Sequence, residues 1–240
     1  MHVNRPIPAD RIKLLIFDLD GTLVDSRLDL ANAVNAMLEK FGRPPLPLDV
    51  IASYVGDGAP TLVRRALGDP QDEAFFAEAL NYFLAWYREH KLDNTHVYAG
   101  IEEALRALQF TRSANGGGAV ERAMAVLSNK PVNPSRQIVQ ALGLAGFFFQ
   151  VYGGNSFPTK KPDPLGARTL MQEAGVGPEE TVIVGDSDID VLTGRNAGLW
   201  TLGVQYGFAP HTLEAAPPDV LVTRPEDMVR ALNETPAPHS

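Results

Sequence analysis

The 240-residue chain has no cysteine, which excludes disulfides, thiolate nucleophiles, Cys-ligated zinc and iron–sulfur clusters. Basic residues are the minority: 21 Lys and Arg stand against 29 Asp and Glu, a formal net charge of −8. A nucleic-acid backbone calls for a basic face and an anionic membrane surface for a cluster of cations, so neither partner is expected. No apolar run reaches the roughly 20 residues of a membrane span. The opening MHVNRPIPAD lacks the apolar centre of a signal peptide, so a reducing cytoplasm is the expected setting. What is present is the composition of a folded chain with a sizeable core, 45% hydrophobic and 21% charged.

Short apolar runs mark the strands. Lys13–Phe17 (KLLIF) stops abruptly at Asp18, Asp20 and Gly21, and similar runs recur at Ala123–Leu127, Thr181–Val184, Trp200–Val204 and Asp219–Val222. Runs without polar alternation read as strands covered on both faces, the habit of parallel sheets. Helical stretches separate them. Asn133 before Pro134 reads as an N-cap with proline at the first helical position, opening a helix to about Leu142. Asp163-Pro164 repeats the signal before a helix closed by Gly175. Strands alternating with helices imply an α/β fold built on a doubly wound parallel sheet.

Residues 26–94 break the alternation. Leu30, Val34, Met37, Leu38 and Phe41 share one helical face, and Phe75, Leu80, Phe83, Leu84 and Tyr87 recur at helical spacing further on. The reading is an all-helical insert, 26–94, within a core made of 1–25 and 95–240, its two junctions close together and able to hinge. Tyr82, Trp86 and Tyr87 read as the core of that insert rather than as a dimer surface. The glycine-rich Thr111–Glu121 precedes a strand and lacks the Lys-Ser/Thr of a P-loop, so it reads as a surface loop. The tail Thr235–Ser240 reads as frayed.

Two strings carry the chemistry. Asp18-Leu19-Asp20-Gly21-Thr22 ends the first strand, and Gly185-Asp186-Ser187-Asp188-Ile189-Asp190 ends another. If both strands are central and parallel, Asp18, Asp20 and Asp186 converge, and three such carboxylates need a counter-ion. A hard divalent cation with oxygen ligands supplies one, and Mg²⁺ suits a site that also takes phosphate. Asp188 reads as a helix cap; Asp190 reads either as a cap or as support behind the ligands. Ser128-Asn129-Lys130 at a third strand end places a hydroxyl and an amide before a helix N-terminus, which suits an anion. A fourth loop holds Lys160-Lys161-Pro162-Asp163-Pro164, where one inward ammonium would balance a phosphoryl group.

In this order DLDGTLVDS, the serine of LSNKP, KKPDP and GDSDID resemble the four motifs of the haloacid dehalogenase superfamily. The resemblance covers nearly the whole chain, including the insert, which sits where that superfamily carries a small helical cap. Tyr54 to Ala59, then Leu62 and Arg65-Ala66-Leu67, and the return at Tyr98-Ala99-Gly100, resemble its phosphoglycolate phosphatases. The resemblance implies a Rossmann-like core and a Mg²⁺-dependent phosphomonoesterase acting on a small phosphoester. Asp18 would be the nucleophile forming an aspartyl-phosphate, and Asp20 the acid and then the base. Asp18, the Asp20 carbonyl and Asp186 would hold Mg²⁺. Ser128 and Lys161 would bind phosphoryl oxygens with Asn129 nearby, Lys160 being the alternative lysine. Gly21, Thr22, Gly58 and Arg65 would contact substrate, and Asp190 would stand behind the metal ligands.

Other readings are weighed on particular residues. A dehalogenase of this fold would not carry an aspartate at 20. A sugar-phosphate mutase tends to have a basic residue where this chain has Asp57-Gly58-Ala59. A nucleotide or pyrophosphate hydrolase stays open, because cap loops change substrates without changing the core. A non-catalytic phospho-acceptor switch would be about half as long and would lack Asp20 and the helical insert. Among Arg64, Arg65, Arg88 and Lys91 in the insert, Arg65 is the expected specificity contact. Oligomeric state is not legible.

Overall fold

The computed structural model describes residues 1–112 and 119–233. The chain runs β1 (His2–Val3), β2 (Leu14–Phe17), β3 (Val24–Asp25), α1 (Arg27–Lys40), α2 (Leu48–Ser53), α3 (Ala59–Ala66), α4 (Glu73–His90), β4 (His96–Val97), α5 (Ile101–Leu108), β5 (Phe110–Arg112), β6 (Ala119–Glu121), β7 (Ala123–Leu127), α6 (Val132–Ala141), β8 (Gln150–Tyr152), α7 (Leu165–Ala174), β9 (Thr181–Gly185), α8 (Asp188–Ala197), β10 (Trp200–Val204), β11 (Val220–Val222) and α9 (Pro225–Asn233). The centre of the glycine-rich stretch and the frayed tail of the sequence reading lie outside the described residues. The flanks of that stretch pair as the antiparallel strands β5 and β6.

Seven strands form one sheet in the order β1-β11-β10-β9-β2-β7-β8. All neighbours pair parallel except β1, which runs antiparallel to β11. The expected doubly wound sheet is present, with one antiparallel edge strand too short to leave a pattern in the sequence. The runs lack alternation because both faces are covered. Leu14 and Ile16 pack with Ala167, Leu170 and Met171 of α7, while Leu15 and Phe17 pack with Ile101, Leu105, Ile138 and Met228 of α5, α6 and α9. Successive side chains of one strand thus enter two different apolar layers.

Two helix starts differ from the sequence reading. α6 begins at Val132, with Pro131 in the cap position and Asn133 already inside the first turn. The Val132 N–H is taken by the side chain of Asn155, at 2.8 Å, from the loop after β8. A cap supplied across the sheet leaves no local trace. α7 begins after Pro164 rather than Asp163. Asp163 still does the capping chemistry, its Oδ1 accepting the Leu165 N–H at 2.9 Å, and Gly175 closes the helix in the left-handed conformation as expected.

Between Ser26 and His90 the described structure is helical. Leu30, Val34, Met37 and Leu38 of α1 pack with Leu62, Val63, Phe83 and Tyr87, and Phe208 of the core joins them. Tyr82 and Trp86 pack against the same cluster. The chain enters and leaves this insert through β3 and β4, which pair with each other, Val24 against Val97 and Asp25 against His96. Asp29, 1% exposed, fastens the exit. Its carboxylate accepts hydrogen bonds from the backbone and side chain of both Asn94 and Thr95. The junctions are adjacent because two-residue strands and one buried carboxylate hold them so.

Candidate active site

β2 lies between β7 and β9, so their C-terminal ends bring Asp18, Ser128 and Asp186 to one edge of the sheet, where open α/β sheets present ligand sites. The Asp18 N–H continues the ladder to the Val184 carbonyl at 2.9 Å. The chain then turns back within four residues, with Leu23 and Val24 donating to the Leu19 carbonyl. Gly21 makes this turn possible, at φ 86°. A Cβ there would stand 2.3 Å from Asp186 Oδ2, so glycine is also what lets the two carboxylate-bearing strand ends approach.

Four carboxylates meet two ammonium groups. Lys161 Nζ bridges Asp18 Oδ1 at 2.7 Å and Asp190 Oδ1 at 2.6 Å. Lys130 Nζ holds Asp20 Oδ2 at 2.8 Å, and Ser26 Oγ donates to Asp20 Oδ1 at 2.5 Å. Asp186 has no cation partner among the described residues; its Oδ2 accepts the backbone N–H groups of Phe208 and Ala209 at 2.6 and 3.2 Å. The cluster is therefore short of two positive charges. Burial pushes the Asp186 carboxyl up to about 8, with Asp190 and Asp18 adding repulsion. Burial likewise raises Asp18 to about 6, despite the opposing pull of Lys161. Desolvation works against the Lys161 ammonium, but Asp18 and Asp190 outweigh it and keep the group charged.

Single oxygens of Asp18, Asp186 and Asp190 lie within 4.8 Å of one another. Three buried oxygen donors with a deficit of two charges fit a hard divalent cation. One of the three, Asp190, is already occupied. Its Oδ1 binds Lys161, and its Oδ2 accepts Ser187 N and Oγ at 3.2 and 2.8 Å, capping α8. Asp190 thus caps α8 and pairs with Lys161. The helix cap is Ser187, and Asp188 sits in the first turn without a side-chain capping bond, its N–H donating to Thr212 Oγ1.

Over this edge lies a cavity of about 470 Å³ lined by Asp18, Asp20, Ser128, Asn129, Lys130, Lys161 and Asp186 from the core. The insert contributes Gly56, Gly58, Tyr87, Arg88 and Lys91. Asn129 ties the two parts together, its Nδ2 donating to the Gly56 carbonyl at 3.0 Å and the Lys161 carbonyl at 3.1 Å. Gly58, at φ 85°, has room for a Cβ only at 3.1 Å from the Asn129 carbonyl. Of the paired lysines, Lys161 turns into the site and Lys160 turns to the insert, donating to the Asp57 carbonyl.

Not every residue singled out in the sequence reaches the cavity. Thr22 is fully buried beneath the turn, where its carbonyl accepts the Tyr206 hydroxyl at 3.1 Å. Arg65 is held off the cavity by Asp57 at 2.7 Å and the Tyr54 carbonyl at 3.1 Å, because Asp57 sits within reach of its guanidinium. The pairing of Lys130 with Asp20 is not evident from the sequence. Its one signal was a lysine beside Ser128 and Asn129 at a strand end.

Residues 15–204 match the family model described as haloacid dehalogenase-like hydrolase. A phosphoglycolate phosphatase from Chromobacterium violaceum is 40% identical over 202 residues, covering 82% of this chain and 87% of that protein. Another from Pseudomonas putida is 38% identical, covering 94% and 80%. The crystal structure of a predicted phosphoglycolate phosphatase from Haemophilus somnus 129PT superposes with a TM-score of 0.82 at 29% identity, covering 92% of this chain and 97% of that one. Among the described residues no helix is long and apolar enough to cross a membrane. A family model matched over most of the chain, together with relatives of about 40% identity, shows that the chain belongs to the haloacid dehalogenase-like hydrolases.

Proposed function

We propose that this chain, a phosphatase of its family, hydrolyses small phosphomonoesters in two displacements through an aspartyl-phosphate on Asp18, with 2-phosphoglycolate or a similar phosphorylated acid as substrate. The observation that carries the reading is that Asp18 and Asp20 end one strand, face one cavity, and are each held by a separate buried ammonium. Asp18 attacks phosphorus and the bond to the ester oxygen breaks. Asp20 gives that oxygen a proton and recovers one from the water that then attacks the aspartyl-phosphate, returning Asp18 and releasing phosphate. Lys130 and Ser26 fix the two oxygens of Asp20 for both transfers. Ser128, Asn129 and Lys161 hold the non-bridging oxygens. Mg²⁺ would be held by Asp18, the Asp20 carbonyl and Asp186, and supplies the charge that lets a carboxylate approach a phosphoryl dianion. Residues 26–94 act as a cap over the core of 1–25 and 95–240, excluding water from the first displacement.

The test is steady-state phosphate release, with and without Mg²⁺, from 2-phosphoglycolate, sugar phosphates, nucleoside monophosphates and pyrophosphate. Within this panel 2-phosphoglycolate is expected to lead in kcat/KM. A nucleotide or pyrophosphate leading by a wide margin reassigns the substrate. A folded protein that takes up one phosphoryl group and never turns over would be a phospho-acceptor switch.

The metal reading has its own measurement. Asp18 and Asp186 have folded pKa values raised from 3.8 to about 6 and about 8, so between those limits the native state binds more protons than the unfolded chain. Metal-free protein is therefore expected to lose stability as pH rises from about 4 to about 8. At pH 8, Mg²⁺ at a hundred times its Kd adds about 2.7 kcal/mol, a Tm rise of roughly 5–11 °C for a chain of this size. A melting curve at pH 8 that ignores saturating Mg²⁺ would overturn the assignment.

A further inference from the structure

The four insert cations singled out in the sequence, Arg64, Arg65, Arg88 and Lys91, divide into two kinds. Arg64 is spent on Glu73 at 3.0 Å and Arg65 on Asp57 at 2.7 Å. Arg88 and Lys91, one helical turn apart at the end of α4, line the cavity and have no carboxylate within 4 Å among the described residues. Lys91 is only 9% exposed, and a lysine so deeply placed is ordinarily paired. Its Nζ donates to the Arg88 carbonyl at 2.7 Å, a helix-end contact that uses one of three donors. The neighbouring Tyr87 hydroxyl is buried in the same wall without a hydrogen-bond partner.

The rest of the insert wall is apolar, formed by Leu30, Val55, Leu62, Phe83 and Leu84, with Phe208 from the core. The cavity volume of about 470 Å³ lies in the range of roughly 300–1,000 Å³ that encloses drug-sized ligands. That is far more than a two-carbon ester fills once its phosphoryl group is seated at Asp18.

Resting on the phosphomonoesterase reading above, we infer that Lys91 and Arg88 form an anion subsite for the leaving-group end of the substrate. The preferred esters carry a second anion, carboxylate or phosphate, on a carbon frame longer than two atoms with an apolar face. 2-Phosphoglycolate is then the short member of the class.

The experiment measures kcat/KM with Mg²⁺ for matched pairs: 2-phosphoglycolate against ethyl phosphate, a longer hydroxy-acid phosphate against the alkyl phosphate of equal length, and the corresponding bisphosphate. Wild type is expected to favour the anionic member of each pair by about 10- to 100-fold, with the longer acid or the bisphosphate ahead of 2-phosphoglycolate. The preferred arm identifies the anion. In Lys91→Met the anionic-to-neutral ratio should fall towards one, chiefly through KM, while Lys91→Arg retains most of it. Arg88→Met, on the exposed side, should lower the ratio in the same direction and serves if Lys91→Met does not fold. A wild type that turns over both members equally, or a Lys91→Met that keeps the wild-type ratio, overturns the subsite. A lead for 2-phosphoglycolate over every longer acid overturns the longer frame. Hydrolysis of p-nitrophenyl phosphate by wild type separates the two levels: absent turnover there sinks the reaction itself, whereas turnover without anion preference sinks only the subsite.

Discussion

Asp18→Asn is expected to lower phosphate release by on the order of 10⁴-fold or more while leaving the fold as stable as wild type or more so. The two halves of this result have one physical origin. Asp18 stands among three other carboxylates with burial pushing its carboxyl up to about 6, so in metal-free protein its charge is a cost to folding. The amide keeps the shape, removes that charge, and leaves Lys161 paired with Asp190 at 2.6 Å. What it cannot do is attack phosphorus. Phosphate release and a melting curve at pH 8 on the same preparation check both halves. A variant that melts well below wild type would show that the Asp18–Lys161 contact holds the fold together. A variant that retains more than a hundredth of the activity would move the nucleophile elsewhere.

Lys161→Met should do the opposite to stability and the same to activity. The Lys161 side chain is 4% exposed and is the only ammonium within 4 Å of Asp18 or Asp190 among the described residues. Removing one partner of a buried ion pair costs about 3–5 kcal/mol because the remaining charge is left uncompensated, a Tm loss of roughly 6–20 °C here. On the proposed mechanism, phosphate binding should lose its inward cation at the same time. The double variant Lys161→Met with Asp190→Asn separates the effects. Neutralising Asp190 should restore much of the melting temperature, since the asparagine oxygen can still accept from Ser187, but no activity should return. If the double variant melts no higher than the single one, the destabilisation comes from lost packing rather than from stranded charge.

The positions of these groups were legible to different degrees. Asp18, Asp20 and Asp186 stood out because each belongs to a short string at the end of an apolar run, and a parallel sheet carries all such ends to one edge. The family resemblance favours Lys161 over Lys160 through the proline that follows it, and the structure turns the two in opposite directions. Lys130 was visible as a residue but not as the partner of Asp20. That pairing depends on β2 and β7 being neighbours, a fact of sheet order. Asp29 was invisible for the same reason: it serves Asn94 and Thr95, some 65 positions away. The β3–β4 ribbon was hidden by its length, since two residues cannot display a period.

Arg65 and Lys91 mark the boundary most clearly. Both are basic residues on helices of the insert, and periodicity puts each on an amphipathic surface without saying what that surface faces. Packing decided it, by placing Asp57 against Arg65 and leaving Lys91 beside the cavity with no carboxylate within 4 Å among the described residues. The sequence alone determined the alternating α/β core, the helical insert and the carboxylate strings, because covered strands, helical periodicity and strand-end turns are local patterns. Only the tertiary structure decided which charge answers which, because the energy of a buried ion depends on partners within about 4 Å, and folding draws those partners from distant segments.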